Sequence, residues 1–423
     1  MDWYRATGDL TVYGTRNSWR GIRRLAMATV VLGLVTSCGD INRAGTIAAT
    51  SGNSWKEGTF VDTGDQGPVY SVEVIAIGGR GGNVGSVLGG AGCAVRATVR
   101  TYGAPFSSQL ATQGADVSSF LTGTTNFNGT GGVGGTGIGI GGPGGSDVNI
   151  RPDAGGAGGG GATAVWRDGI TIAIAAGGGG ANLHQAGGTA CARSTQDGGD
   201  ADGGGPAGKG ARLVDGVRTP GAGGLNGADS SGAAGVCNFP SFATTPVPAI
   251  MGGGGATTFG EVQEGGGGGG AGSCGGGGGA AGLPYRGGWG AGGGAGLSYG
   301  WSESGTSGFA PTTFMPTWDA PRVVFHWVQF TSPSTLGSAT HPWQYIVTLT
   351  ADFGETGALT STQGARWRIV SGGVPGLSLN ESTGVLRGWP TTAGTYTFTV
   401  EAAATSNGLV LAHSRKTFTL VVL

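Results

Sequence analysis

The side chains that could do covalent or metal chemistry in this chain are few: five cysteines, four histidines and one aspartate-rich loop. Cys38, Cys93, Cys191, Cys237 and Cys274 include no CxxC pair and no histidine lies close in sequence, so their spacing does not make a zinc site. His184, His326, His341 and His413 are scattered and accompany no GxSxG string, so no activated nucleophile is expected. His326 falls in a strand-like run and reads as structural. Asp197, Asp200 and Asp202 could gather around a calcium ion. The loop lacks the following glutamate of an EF-hand and the spacing of nonapeptide repeats, so it reads as solvated. The string from Gly203 to Lys209 approaches a phosphate-binding loop, but Gly210 stands where the magnesium-binding Ser or Thr is required. Several GxGxxG strings open no helix in a βαβ unit. No catalytic residue, cofactor site or metal site is expected, and the chain reads as a non-enzyme.

The better chemical signal is non-covalent. Tyr285, Arg286, Trp289, Tyr299 and Trp301 punctuate the last glycine-rich stretch. Trp, Tyr and Arg are the usual anchors of binding surfaces, which makes these five the candidate site for a protein or glycan ligand. The competing reading is that they cap the apolar ends of a glycine-rich body.

What must position these residues is unusual. Glycine accounts for 98 of 423 residues, against a usual share of roughly 7%. Collagen is excluded by irregular spacing and only 17 prolines. A disordered linker is opposed by 38% hydrophobic residues, 11 tryptophans and only 11% charged residues. The net charge of −1 gives no electrostatic case for nucleic acid. Between the glycine runs lie short apolar strands. Residues 69–77 are rich in branched side chains. Residues 94–100 alternate, with Val95, Ala97 and Val99 on one face and two arginines on the other. Residues 164–167 and 170–175 read as the arms of a hairpin turned by Asp168-Gly169, and 322–328 would close the region. A buried glycine run must pair every backbone N–H and C=O. One solution is a bundle of polyglycine-II-type helices with the geometry of polyproline II, about 3.1 Å per residue. A side chain facing a neighbour would hold such chains apart, so the runs must be nearly pure glycine.

The N-terminus reads as an export signal. Arg20, Arg23 and Arg24 precede an uncharged run at 25–35, which is short for a membrane span. It ends in Val35-Thr36-Ser37-Cys38-Gly39, which resembles a bacterial lipobox and makes Cys38 the lipidation candidate; a plain secretory signal is the alternative. With Cys38 set aside, Cys93, Cys191, Cys237 and Cys274 form an even set for disulfides in an oxidising compartment. Four cysteines allow three pairings, and all three stay open.

The order of strand 72–77, Gly78-Gly79-Arg80-Gly81-Gly82, Gly89-Gly90-Ala91-Gly92, the hairpin at 164–175 and the glycine runs 265–270 and 275–279 resembles the glycine-rich domain of bacterial surface proteins. That domain is similar to the extracellular glycine-rich region of anaplastic lymphoma kinase and leukocyte tyrosine kinase. Glycine-rich helix bundles also occur in a phage tail-tip adhesin. The resemblance covers 56–330 and implies ligand recognition: a protein ligand for the receptors, a cell receptor for the adhesin. Beyond this region glycine falls and β-branched residues rise. Short strand candidates at 344–350, 366–370, 377–379, 385–386, 395–401 and 415–422 argue for a β-sandwich. The string from Pro375 through Asn380, Gly384 and Trp389 to Val400 resembles the immunoglobulin-like (cadherin-like) module of bacterial surface proteins. Asn380 replaces an aspartate common there, which counts against calcium.

The expected organisation is therefore a signal peptide and lipobox at 1–38, a linker at 39–55, a glycine-rich domain at 56–330, a linker at 331–342 and an Ig-like β-sandwich at 343–423. The fold class is mainly β. The expected function is that of a non-catalytic cell-surface or secreted lipoprotein in adhesion, recognition or envelope architecture. It would sit in the cell envelope, lipid-anchored on the outer face, or be secreted. Its partners would be a surface protein or glycan and, through the anchor, a membrane. An exported carbohydrate- or protein-binding module is the alternative, and a secreted hydrolase a more distant one.

Overall fold

The computed structural model describes residues 46–50, 55–59, 69–117, 131–146, 155–191, 209, 212–214, 217–219, 222, 233–237, 250–255, 265–281, 291–303, 308–353 and 363–423. All fall within one unit, Asn42–Leu423. Among them the protein is all-strand. Nine strands make the largest sheet: β1 (Thr46–Thr50), β2 (Val69–Ile77), β3 (Gly92–Arg100), β4 (Thr313–Thr317), β5 (Arg322–His326), β6 (Thr335–Ala339), β7 (Gln363–Gly372), β8 (Gly394–Ser406) and β9 (Leu409–Val422). The segment expected to be a linker at 331–342 carries β6, which pairs in parallel with the upper part of β9.

The centre of this sheet is β2. Along one edge it pairs with β3 from Ser71 to Ile77. On its remaining side it pairs with two strands in turn. β5 takes Glu73 to Ile77, and β9 meets it at Ser71 and Val69. β9 belongs to the long hairpin β8–β9, whose outer neighbour is β7. One sheet thus runs from the glycine-rich region into the C-terminal module without a break. The alternation expected in β3 is present: Val95, Ala97 and Val99 are buried, and Arg96 and Arg100 lie on the other face, partly exposed.

A second sheet of five strands orders Tyr299–Gly300, Ile170–Ala175, Thr163–Arg167, Pro105–Gln109 and Trp55–Thr59. Its central hairpin turns at Asp168 and Gly169, with φ of 47° and 74°. Left-handed backbone at both central positions matches the right-handed twist of the arms, as the Asp-Gly pair predicts.

The glycine runs continue from the ends of these strands, as Gly78 does from β2 and Gly177 from Ile170–Ala175. No helix occurs among the described elements, so the polyglycine-II-type helices expected from the sequence are not present as helical elements; the runs lie outside strand and are tied mainly by backbone hydrogen bonds, with a few from side chains such as Asn83, Ser146 and Asn182. The run 156–161 shows the pattern. Gly156 and Gly159 N–H groups donate to Gly145 and Gly142, Ala157 and Gly160 to Ala181 and Gly178, and Gly158 and Gly161 to Ala115 and Thr112. Carbonyls of the same run accept from Gly79 and Gly82, Gly132 and Gly135, and Gly268 and Ala271. Successive bonds to one neighbour are three residues apart, so one run touches six others and satisfies its buried polar groups. A Cβ on Gly156 would strike the Gly266 carbonyl, and one on Gly159 the Gly269 carbonyl. Ala157 is tolerated because its methyl meets Val84 and Ala181 in a small apolar cluster.

The C-terminal module is built differently. Leu386 from the three-stranded sheet of Tyr345–Thr348, Val385–Gly388 and Leu377–Leu379 shares a core with Trp367 of β7, Phe398 of β8 and Phe418 and Leu420 of β9. Phe330 packs edge-on against both Trp367 and Phe418, with centroids 5.8 and 5.6 Å apart, a favoured aromatic geometry. Asn380 Oδ1 accepts from the Ser382 and Thr383 N–H groups and so caps a turn.

Candidate recognition surface

A cluster of aromatic rings and arginines gathers where the two large sheets meet. After β3, the Ala104 N–H donates to the Thr101 carbonyl at 2.9 Å and closes a turn with Tyr102 and Gly103 at φ 49° and 66°. Glycine is at ease there; a bulky ring is uncommon, and its ordering holds Tyr102 with two-thirds of its surface in solvent. The neighbouring hairpin ends in Arg167, and its turn is fixed by the Asp168 N–H donating to Pro105 O at 2.8 Å. The Arg167 guanidinium carbon lies 5.0 Å from the Tyr102 ring centre and 5.6 Å from that of Trp301. Both rings present their negative faces to the cation.

Trp301, Ser302 and Glu303 bridge the two sheets. Trp301 N–H donates to Ile172 O in the five-stranded sheet, at 2.9 Å, and Glu303 N–H donates to Thr98 O in β3, at 3.1 Å. Ser302 Oγ accepts from the Thr98 N–H and from Thr312 Oγ1. This anchoring places the Glu303 carboxylate 2.8 Å from Arg167 and 3.5 Å from Arg100, with the Tyr102 hydroxyl donating to it at 3.4 Å. Arg167 also donates to the Arg100 carbonyl at 2.5 Å. Arg167 is nearly buried and is satisfied by an ion pair, a carbonyl and two rings, while Tyr102 and Trp301 keep exposed faces. The arrangement can hold a ligand by stacking and by hydrogen bonding.

Two buried polar groups lie beside it. Ser71 Oγ and His413 Nδ1 are 2.7 Å apart, and the His413 N–H donates to the same oxygen at 3.0 Å. His413 Nε2 is 4.0 Å from Glu401 Oε2. The order Ser, His, Glu resembles a nucleophile relay, but Ser71 has no exposed surface and its oxygen is already engaged. The group braces the pairing of β2 with β9. Burial pushes His413 down to about 4, so the ring is neutral at pH 7; the nearby charges of Arg415, Arg100 and Arg366 act in the same direction and Glu401 opposes them. Burial raises the Glu401 carboxyl, but the Arg415 hydrogen bond and the neighbouring positive charges outweigh it and hold it below its ordinary value. The second group is Glu73, fully buried, 2.8 Å from His326 Nδ1 and 3.3 Å from Arg96. It ties β5, β2 and β3 together, in keeping with a structural His326.

Cys93 is bonded to Cys191, and Cys237 to Cys274, which selects one of the three pairings left open. Of the five aromatic-loop candidates, Tyr285, Arg286 and Trp289 lie outside the described residues, as does Cys38. The remaining two part company. Tyr299 packs against the apolar cluster of Ile138, Ala164 and Ile174, whereas Trp301 joins the exposed surface. Tyr102, Arg167, Arg100 and Glu303 escape sequence reading because they come from separate segments; Glu303, two residues after Trp301, is the one with a local cue.

Residues 328–423 match a family model described as "Putative Ig domain". No curated protein matches the chain. Among solved structures, a putative alpha-galactosidase/melibiase from Bacteroides fragilis is 18% identical with a TM-score of 0.18, over 23% of this chain and 17% of that one. A putative alpha-galactosidase of the same organism is 21% identical with a TM-score of 0.17, over the same 23% and 17%. Likenesses this small carry no argument about fold or activity. The resemblance of 56–330 to the receptors' glycine-rich region finds no support in these comparisons. What they establish is that residues 328–423 form an Ig-like module, a span that begins fifteen residues before the expected 343.

Proposed function

We propose that this chain is a non-catalytic recognition module of the cell surface or extracellular space, in which the glycine lattice and the Ig-like module together present the surface around Trp301. The Ig-like module and two disulfides are compatible with that location. The observation that carries the reading is the cluster itself. Tyr102 is held in an uncommon backbone conformation with its ring exposed, Trp301 is anchored from both sheets, and Arg167 and Glu303 lock the rings in place. Rigid, partly exposed aromatic rings with an arginine between them are what binding sites use as anchors, and non-glycine residues at positive φ concentrate at such sites. The ligand is a surface protein or glycan. Lipidation at Cys38 would hold the protein to a membrane.

A binding screen over glycans and intact cells tests this. Trp301→Ala and Tyr102→Ala should each weaken the strongest interaction by about tenfold, roughly 1–2 kcal/mol, without lowering the unfolding midpoint much. Unchanged binding in both variants would overturn the placement of the site. Turnover in a broad hydrolase panel would overturn the non-catalytic reading.

A further inference from the structure

The charge on this protein is unevenly placed. The chain as a whole carries a net charge of −1, yet arginines collect on one face of the nine-stranded sheet next to Trp301. Direct cross-strand partners project to the same face. Arg100, Ser71, His413, Ala403 and Arg366 are successive partners from β3 through β2, β9 and β8 to β7. A second row, Arg415, Glu401 and Arg368, lies beside it. With Arg167 there are, among the described residues, five guanidinium groups facing two carboxylates, Glu303 and Glu401, an excess of three positive charges. His413, pushed down to about 4, adds none at neutral pH.

We propose that this face binds an acidic polysaccharide, with sugar carboxylates on the arginines and sugar rings on the exposed aromatic faces. The proposal rests on the recognition reading given above and names the ligand class. Glu401 is shared by Arg368 and Arg415, at 2.9 Å each, and Glu303 by Arg100 and Arg167, so each carboxylate fixes two guanidinium groups without neutralising both. Arg366 is partly exposed, while its buried Nε makes no hydrogen bond among the described residues. Tyr70, 38% exposed, lies flat against Arg415 at 4.8 Å, and with Tyr102 and Trp301 it lines the arginines with rings. Arg100 and Arg366 stand four strand steps apart, roughly 19 Å at about 4.8 Å each, at the two ends of this row. The backbones of Ser71, His413 and Ala403 are paired on both sides and their side chains are buried, with Phe309 and Tyr70 packed over them, so the middle of the row is covered and offers no free strand edge. That favours a charged glycan over an extended acidic peptide, which would need main-chain partners.

The test uses the full chain and three immobilised probes: polygalacturonate, the same polymer fully methyl-esterified, and poly-glutamate. Binding should be strongest to polygalacturonate and should fall as salt is raised. Arg366→Gln with Arg368→Gln should weaken it at least about tenfold, while Arg387→Gln, exposed on the other sheet, should not. Glu401 keeps Arg415 in the double variant, and an unchanged unfolding midpoint would show that the fold holds. Equal binding of the methyl ester, or tighter binding of poly-glutamate, would overturn the proposal. So would glycan binding that is lost on Trp301→Ala but untouched by the arginine changes, and that outcome would leave the recognition reading standing. Binding of none of these probes, with a glycan and cell screen also silent, would remove both.

Discussion

The glycine lattice and the Ig-like module solve the same problem with opposite materials. The module fills its interior with Trp367, Phe330, Phe398 and Phe418, and its strands are held by side-chain burial. The lattice has almost no side chains to bury. Its runs approach until backbone meets backbone, and most of the bonds between runs join an N–H to a carbonyl on a neighbour. In one region the sequence is specified by what each side chain must fill. In the other it is specified by where no side chain can be. Glycine is costly to order, having the most backbone freedom to lose, a loss that the hydrogen bonds between runs must offset.

That contrast can be broken directly. Gly159→Val would drive a side chain into the Gly269 carbonyl. Because backbone cannot repack, the cost should be upward of about 3 kcal/mol, beyond ordinary overpacking. Trp367→Ala should cost about 3–5 kcal/mol by leaving a cavity among Phe330, Phe353 and Leu386. Hydrogen exchange followed by region should separate the two. The glycine variant should lose protection first at 156–161 and its neighbours, and the tryptophan variant first in β7 to β9; simultaneous loss everywhere in both would mean that the regions fold as one unit. Next in size, replacing Cys93 and Cys191 by serine should lower stability by about 2–4 kcal/mol. The bridge closes 98 residues where Cys237–Cys274 closes 37, so its removal should cost more, by roughly 1 kcal/mol in the chain-entropy picture. Equal midpoints for the two double variants would argue against that picture here.

Acid should act on the seam. His413 is neutral when folded, with its pKa lowered to about 4, and takes a proton near 6.5 when unfolded. Its contribution is therefore complete above about pH 6.5 and is lost as pH falls toward 4. The linkage amounts to roughly 3 kcal/mol. The lowered carboxyl of Glu401 adds a further loss, in the same direction, at lower pH. Denaturant midpoints between pH 7 and 4.5 should show this fall, and His413→Gln should flatten it; a midpoint independent of pH over that range would exclude His413 as its source.

Much of the local structure is legible from the residues. Branched-residue content and alternation find β2, β3 and β5, and Asp168-Gly169 finds the hairpin. The C-terminal strands are found too, but short. β8 and β9 run through Ala402, Ala403 and Ala404 and back through Leu411 and Ala412. Alanine carries little strand signal, and these residues form strand because they are covered, by Phe309 among others. The extra length is what brings β9 to β2. The candidate surface was half visible for a related reason. Trp301 stands out by type, but Tyr102, Arg167 and the arginine rows are assembled by pairing between distant strands, and no local pattern records that.

One consequence concerns timing. Ser71 waits for a partner 342 residues downstream. Until β9 has emerged, the edge of β2 beside Ser71 has nothing to pair with, and the glycine runs lack their clamp. Closing contacts over such distance is slow. The long segment between β2 and β9 stays slack until β9 is made, and becomes rigid only when that strand slides into the gap left for it beside Ser71.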